Sequence, residues 1–139
     1  MKQATHLFRI ETHGRGLYEF THDVAAWLAD QAVTTGLVTL FCRHTSASLV
    51  IQENASPDVR SDLEAAFARI APEAPGLYEH ADEGPDDMPA HIRASLTGVN
   101  LSIPVIAGKL ALGTWQGVFL FEHRRRGRRR EVAAHVLGV

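Results

Sequence analysis

Between His80 and His91 the chain reads H-A-D-E-G-P-D-D-M-P-A-H. It gathers His80, Asp82, Glu83, Asp86, Asp87 and His91 into twelve residues. Imidazole and carboxylate are the common protein ligands of zinc and related divalent ions, and carboxylates alone suit magnesium. Met88 is the one large apolar side chain of the stretch, and Gly84, Pro85 and Pro89 interrupt it, so it reads as a loop. Loops held on a rigid scaffold are where binding and catalytic groups concentrate. The spacing matches no tight metal signature such as H-E-x-x-H, so a solvated acidic loop is the competing reading.

A second constellation is His44-Thr45-Ser46-Ala47-Ser48, where a histidine at a strand end meets small hydroxyl residues. Small neighbours leave room for a substrate, and the Thr45 and Ser46 hydroxyls can bond a phosphate; a turn whose hydroxyls bond their own backbone is the alternative. His44, His80 and His91 each sit in a polar, turn-rich motif. Together they form the expected metal set, since three histidines with one open position are a catalytic zinc pattern. Glu83, beside Gly84, is the expected general base, and Asp86 a further catalytic carboxylate. Asn54 and Gln116 are candidates to orient a substrate, and Trp115, flanked by Gly113 and Gly117, to line its pocket. His6, His13, His22 and His135 lie outside these motifs and read as surface or half-buried residues; His123, next to Glu122, reads as a support for the site.

Strands and helices must position these groups. Residues 3–11 alternate as a strand, which Gly14 and Gly16 end. A helix starts near Thr21 to Asp23, shows Val24, Trp27 and Leu28 on one stripe, and stops by Gly36. Leu37–Arg43 is a buried strand and Leu49–Ile51 another. Ser56-Pro57-Asp58 opens a second helix that runs to Ile70 with Ser56 as its cap. Pro89 starts a short third helix through Leu96, closed by Gly98. Sheet-like sequence follows from Leu101, with Pro104 marking an edge or bulge, and Val132–Leu137 is the final strand. The order gives an α+β fold with two main helices, one short helix and a β-sandwich-like core of mixed or antiparallel strands.

The 139 residues fit one domain, 1–139, able to bury a real core. No apolar run approaches the roughly 18 residues of a membrane span. The N-terminus lacks the apolar stretch of a signal peptide, so the expected setting is cytoplasmic. Cys42 is the single cysteine and excludes an internal disulfide. Net charge is -2, yet Arg124, Arg125, Arg126, Arg128, Arg129 and Arg130 cluster near the C-terminus. No aromatic residues interleave with them, so the run reads as a solvated hairpin turn around Gly127 rather than a nucleic-acid site.

Taken together, the chain resembles the YjbQ family. The resemblance rests on His44-Thr45-Ser46-Ala47-Ser48-Leu49, Gln52-Glu53-Asn54, Pro57-Asp58-Val59, Tyr78-Glu79-His80, Glu83-Gly84, Asp86 through Ile92, Ile103-Pro104-Val105 and Gly113-Thr114-Trp115-Gln116-Gly117. It covers nearly the whole chain and implies a compact α+β domain and a homotrimer. It also implies a weak, secondary thiamine-phosphate synthase activity, joining a pyrimidine diphosphate to a thiazole phosphate with loss of pyrophosphate. The residues themselves, rich in imidazole, suit a zinc- or magnesium-dependent hydrolase of a small phosphorylated or acyl metabolite at least as well. A metal- or metabolite-binding protein without turnover is the third reading.

Overall fold

A computed structural model describes residues 1–139. Its eleven elements are β1 (Lys2–Glu11), β2 (Gly16–Glu19), α1 (Thr21–Gln31), β3 (Thr35–Cys42), β4 (Ala47–Glu53), α2 (Pro57–Ile70), α3 (Asp87–Thr97), β5 (Asn100–Ile106), β6 (Lys109–Leu110), β7 (Gln116–Glu122) and β8 (Arg129–Gly138). The strands form a five-stranded sheet, β1-β8-β3-β5-β6, and a three-stranded sheet, β2-β7-β4. Every pairing is antiparallel, which narrows the expected mixed or antiparallel core to the second. No helix is long and apolar enough to cross a membrane.

The two-residue period of strands sorts their side chains. Along β8, Val132, Ala134 and Val136 face inward, against Val38 and Leu40 of β3 and Phe8 of β1. Leu49 of β4, Val118 and Leu120 of β7, and Val24 and Leu28 of α1 complete the same apolar core. Phe119 and Phe121 point to the other face of the small sheet, where α2 covers them. Phe67 meets Phe121 edge-on at 5.4 Å, and the Arg60 guanidinium lies 5.3 Å from the centre of the Phe119 ring.

Several boundaries differ from expectation for local reasons. α1 ends at Ala32, in the left-handed region at φ 53°, four residues before Gly36. Gly36 instead lies within β3, where a Cβ would fall 2.3 Å from the Leu137 carbonyl oxygen, so a close approach of β3 to β8 demands glycine. The Ser56 side chain makes no capping bond; its backbone N–H donates to Glu53 Oε2 at 3.1 Å. α3 begins at Asp87 rather than Pro89. Pro89 sits inside the first turn, where its missing N–H leaves no bond unmade.

The arginine run is not one solvated turn. Arg130 continues the inward row of β8 and is buried, with its Nε 2.8 Å from Glu122 Oε1. Arg124 is buried as well, whereas Arg125, Arg126 and Arg129 are exposed. A charge on the core side of a strand is stable only when paired, and Glu122, fully buried, is that partner.

Candidate metal centre

The first turn of α3 builds the site. Asp87 and His91 are four residues apart, so they share one helix face. His80 reaches the same point from the loop before α3, which turns at Gly84 with φ 103°. Asp87 Oδ2 lies 2.7 Å from His80 Nε2 and 3.0 Å from His91 Nε2. Ligand atoms of the three residues all fall within 4.8 Å of one another, the separation that one ion could bridge.

The protons make this arrangement informative. His91 Nδ1 lies 2.8 Å from the Thr45 carbonyl oxygen, which can only accept, so Nδ1 carries a hydrogen. A neutral His91 therefore turns a bare lone pair on Nε2 toward a carboxylate oxygen. Two acceptors in contact repel unless a cation, a proton or a metal ion, lies between them. The donor set, two imidazoles and a carboxylate, fits zinc better than the all-oxygen preference of magnesium.

Arg124 holds the carboxylate of this group in place. Its Nη1 donates to Asp87 Oδ1 at 2.6 Å, its Nε to Asp86 Oδ2 at 2.9 Å and its Nη2 to the Glu83 carbonyl at 2.9 Å. The Arg125 N–H adds a bond to Asp86 Oδ2 at 3.0 Å. Burial alone would raise the Asp87 pKa, but the His80 hydrogen bond, with the charges of His91 and Arg124, holds it below the usual carboxylate value. Asp86 is lowered too, by Arg124 and the Arg125 amide against the cost of burial. Both carboxylates thus stay ionised at neutral pH.

The expected site residues divide into groups. His80 and His91 come together as expected. Within the chain His44 stands outside their group: its Nε2 accepts the Glu131 N–H at 2.8 Å, and burial, then the charge of Arg130, lower its pKa. Thr45 touches the site through its carbonyl. Ser46 is buried, and its Oγ accepts from Arg130 Nη2 at 2.9 Å. The Glu83 carboxylate is exposed, and the residue joins the site by its carbonyl. Asp86 ties the loop to Arg124. Asn54, Trp115 and Gln116 lie at the other end of the small sheet, since Glu53 pairs with Gln116 and Ala47 with Glu122. Trp115 is 64% exposed there, and Gln116 Oε1 accepts from the Gly113 N–H. Arg124 was missing from the expected set, and Asp87 stood in it only as one of the carboxylates able to hold magnesium, not as a partner of the histidines. The D-x-x-x-H spacing from Asp87 to His91 carries the signal for that partnership once α3 is known to start at Asp87.

Two cavities flank the group. One, of about 260 Å³, runs along Ala74, Pro75, Tyr78, His80, Ala81 and Pro85. The other, of about 340 Å³, lies between His44, Thr45, His91, Ser95, Gly98 and Val99. Neither is lined by a lysine or an arginine.

Fold and site together define an α+β protein with a His–Asp–His group suited to a divalent ion. Residues 6–139 match the family model described as UPF0047 protein YjbQ-like. The chain belongs to that family. It is 52% identical over 137 residues to UPF0047 protein sll1880 of Synechocystis sp., covering 99% of this chain and 93% of that one. Its identity with UPF0047 protein YjbQ of Escherichia coli is 44% over 130 residues, 93% and 94% of the two chains. Among solved structures, the Thermus thermophilus conserved hypothetical protein TT1486 superposes with a TM-score of 0.85 at 38% identity, over 95% of this chain and 99% of that one. A yjbq/upf0047 family protein of Clostridium acetobutylicum superposes with a TM-score of 0.87 at 32% identity, again over 95% and 99%.

Proposed function

We propose that the protein is a divalent-metal enzyme that hydrolyses a small phosphorylated or acyl metabolite, with His80, Asp87 and His91 holding the ion. The observation that carries this reading is the convergence of His80, Asp87 and His91, whose ligand atoms all lie within 4.8 Å of one another, with the Thr45 carbonyl holding His91 so that its Nε2 faces the group. A divalent ion there supplies Lewis-acid polarisation of a phosphoryl or carbonyl oxygen. The residues themselves do the rest: Arg124 orients Asp87, the Thr45 carbonyl sets the His91 tautomer, and the cavities on either side receive the substrate.

Thiamine-phosphate synthase activity is the competing assignment. Expelling pyrophosphate requires positive charge on the leaving group. Cationic side chains line neither cavity, and Arg124 is committed to two carboxylates, so only the metal would meet that need. This favours hydrolysis. Zinc-loaded protein assayed in parallel with p-nitrophenyl phosphate, p-nitrophenyl acetate and the pyrimidine diphosphate–thiazole phosphate pair separates the two. Ester cleavage lost on chelation supports the hydrolase; thiamine phosphate formation with no ester cleavage supports the synthase.

We also propose a homotrimer. Besides the family resemblance, the outer face of the five-stranded sheet supports self-association: Leu37 and Leu137 sit opposite each other in register, with Phe41 further along, and all three are more than 40% exposed. Light scattering that shows only a 15.2 kDa species at micromolar concentration refutes it.

A further inference from the structure

His44 lies apart from the metal group, yet it shares the 340 Å³ cavity with His91. Its ring has a fixed tautomer. Nε2 accepts the Glu131 N–H, and an accepting nitrogen carries no proton, so neutral His44 holds its hydrogen on Nδ1. Nδ1 has no partner within the protein and is not sealed from solvent. Burial, then the nearby charge of Arg130, keep the ring uncharged at neutral pH.

The remaining lining selects a ligand class. The Thr45 hydroxyl is exposed and makes no bond within the chain. The Ser95 hydroxyl is already given to the His91 carbonyl at 2.9 Å. No carboxylate and no cationic side chain lines the cavity. The free groups thus include two donors, His44 Nδ1–H and the Thr45 hydroxyl, which can also accept, beside an imidazole of the metal group. A cavity of this size falls in the ~300–1,000 Å³ range of small-molecule sites.

We propose that this cavity is the substrate subsite of the metal centre, and that His44, held in its Nδ1–H form by the Glu131 amide, donates a hydrogen bond to a carbonyl or phosphoryl oxygen of the substrate. His44 is then neither a metal ligand nor a base. It is a neutral donor whose bond strengthens as negative charge builds on that oxygen, the role of an oxyanion-hole group. The assignment rests on the metal reading only for what lies next door; the tautomer and the donor set stand without it.

Ring ¹⁵N NMR of the full-length protein tests the proposal, with and without zinc, during titration by inorganic phosphate and by acetohydroxamate as phosphoryl and carbonyl probes. The expected result is a protonated Nδ1 and a bare Nε2 on His44, and a saturable shift of His44 Nδ1 with at least one probe, which names the oxygen class. His44→Phe is expected to weaken that probe about tenfold, the scale of one hydrogen bond to a charged acceptor, while zinc uptake is unchanged. His44→Gln, which keeps a donor, recovers part of the loss. A protonated Nε2, no shift with either probe, or loss of zinc in His44→Phe overturns the proposal. A wild-type protein that takes up no zinc defeats the metal reading alone, because the titrations of metal-free protein still decide the role of His44.

Discussion

The two ends of α3 carry polar clusters that use the same kinds of side chain for opposite purposes. At the C-terminal end, Thr97 Oγ1 lies 2.5 Å from Ser48 Oγ, which lies 2.8 Å from His123 Nε2. Ser48 and His123 are buried, and neither cavity beside the metal group reaches them. Burial first, then the charges of Arg93 and Arg130, push His123 down to a pKa of about 3, so it is an uncharged part of the core. At the N-terminal end, His80 and His91 keep side-chain exposures of 41% and 31% and converge on Asp87 Oδ2, while Arg124 binds the other oxygen, Oδ1. The first cluster is closed to ligands by its own packing. The second opens to solvent and gathers two imidazoles and a carboxylate whose ligand atoms lie within 4.8 Å of one another. A histidine beside hydroxyls or acids is therefore not in itself a site; a convergent set of ligand atoms, open to solvent, makes one.

Replacing Asp87 gives the largest effect. Asp87→Asn removes the charge shared by both imidazoles and Arg124. Zinc affinity is expected to fall 100-fold or more, about 2.7 kcal/mol, with a further ~1–3 kcal/mol of stability lost around the buried Arg124, which keeps only Asp86 as an ionised partner. Calorimetric titration and chemical denaturation read the two numbers. Unchanged zinc affinity would place any ion elsewhere.

Arg124→Lys sharpens the same contrast. Lysine keeps the charge but cannot hold Asp86, Asp87 and the Glu83 carbonyl through one planar fork. Zinc affinity is expected to drop roughly 10- to 100-fold, the range seen when an outer partner of a ligand is lost. Equal affinity in the variant would show that Asp87 needs no such support.

His123 probes the sealed end through pH. As pH falls below about 6.5 an unfolded histidine gains a proton, while folded His123 does not until about 3. The unfolded state thus binds more protons across that window, and stability declines as pH is lowered through it, by up to about 1.4 kcal/mol per pH unit. Above pH 6.5 this group adds no slope. His123→Gln should be less stable at pH 7 and lose stability less steeply from pH 6 to pH 4, with zinc binding intact. Parallel denaturation curves for the two proteins would mean that His123 is not the neutral core residue described.

Glu83→Gln is the smallest change expected. Its carboxylate makes no bond in the structure, and the carbonyl that meets Arg124 survives the substitution, so zinc affinity should move less than twofold. A tenfold loss would return Glu83 to the site as a base or ligand.

The sequence reveals the large elements because they are periodic. The alternation of Val132, Ala134 and Val136 marks β8, and the Ser56-Pro57-Asp58 start marks α2. Its failures have definite causes. β2 spans only Gly16–Glu19, too short for alternation to show. Arg130 follows the β8 period into the core, but inside a run of arginines its charge reads as solvated; only the distant Glu122 explains its burial. Starting α3 at Pro89 hid the shared face of Asp87 and His91, and with it the ligand that joins the two histidines. Asn54, Trp115 and Gln116 resemble site residues by type, but linear order does not say which end of an antiparallel sheet a strand terminus occupies.

Zinc K-edge X-ray absorption on zinc-loaded protein tests the central claim most directly. The account predicts two imidazoles and a carboxylate oxygen at about 2.0–2.2 Å, and loss of that spectrum in Asp87→Asn. A protein that takes up no zinc, or a coordination shell without imidazole, would contradict it.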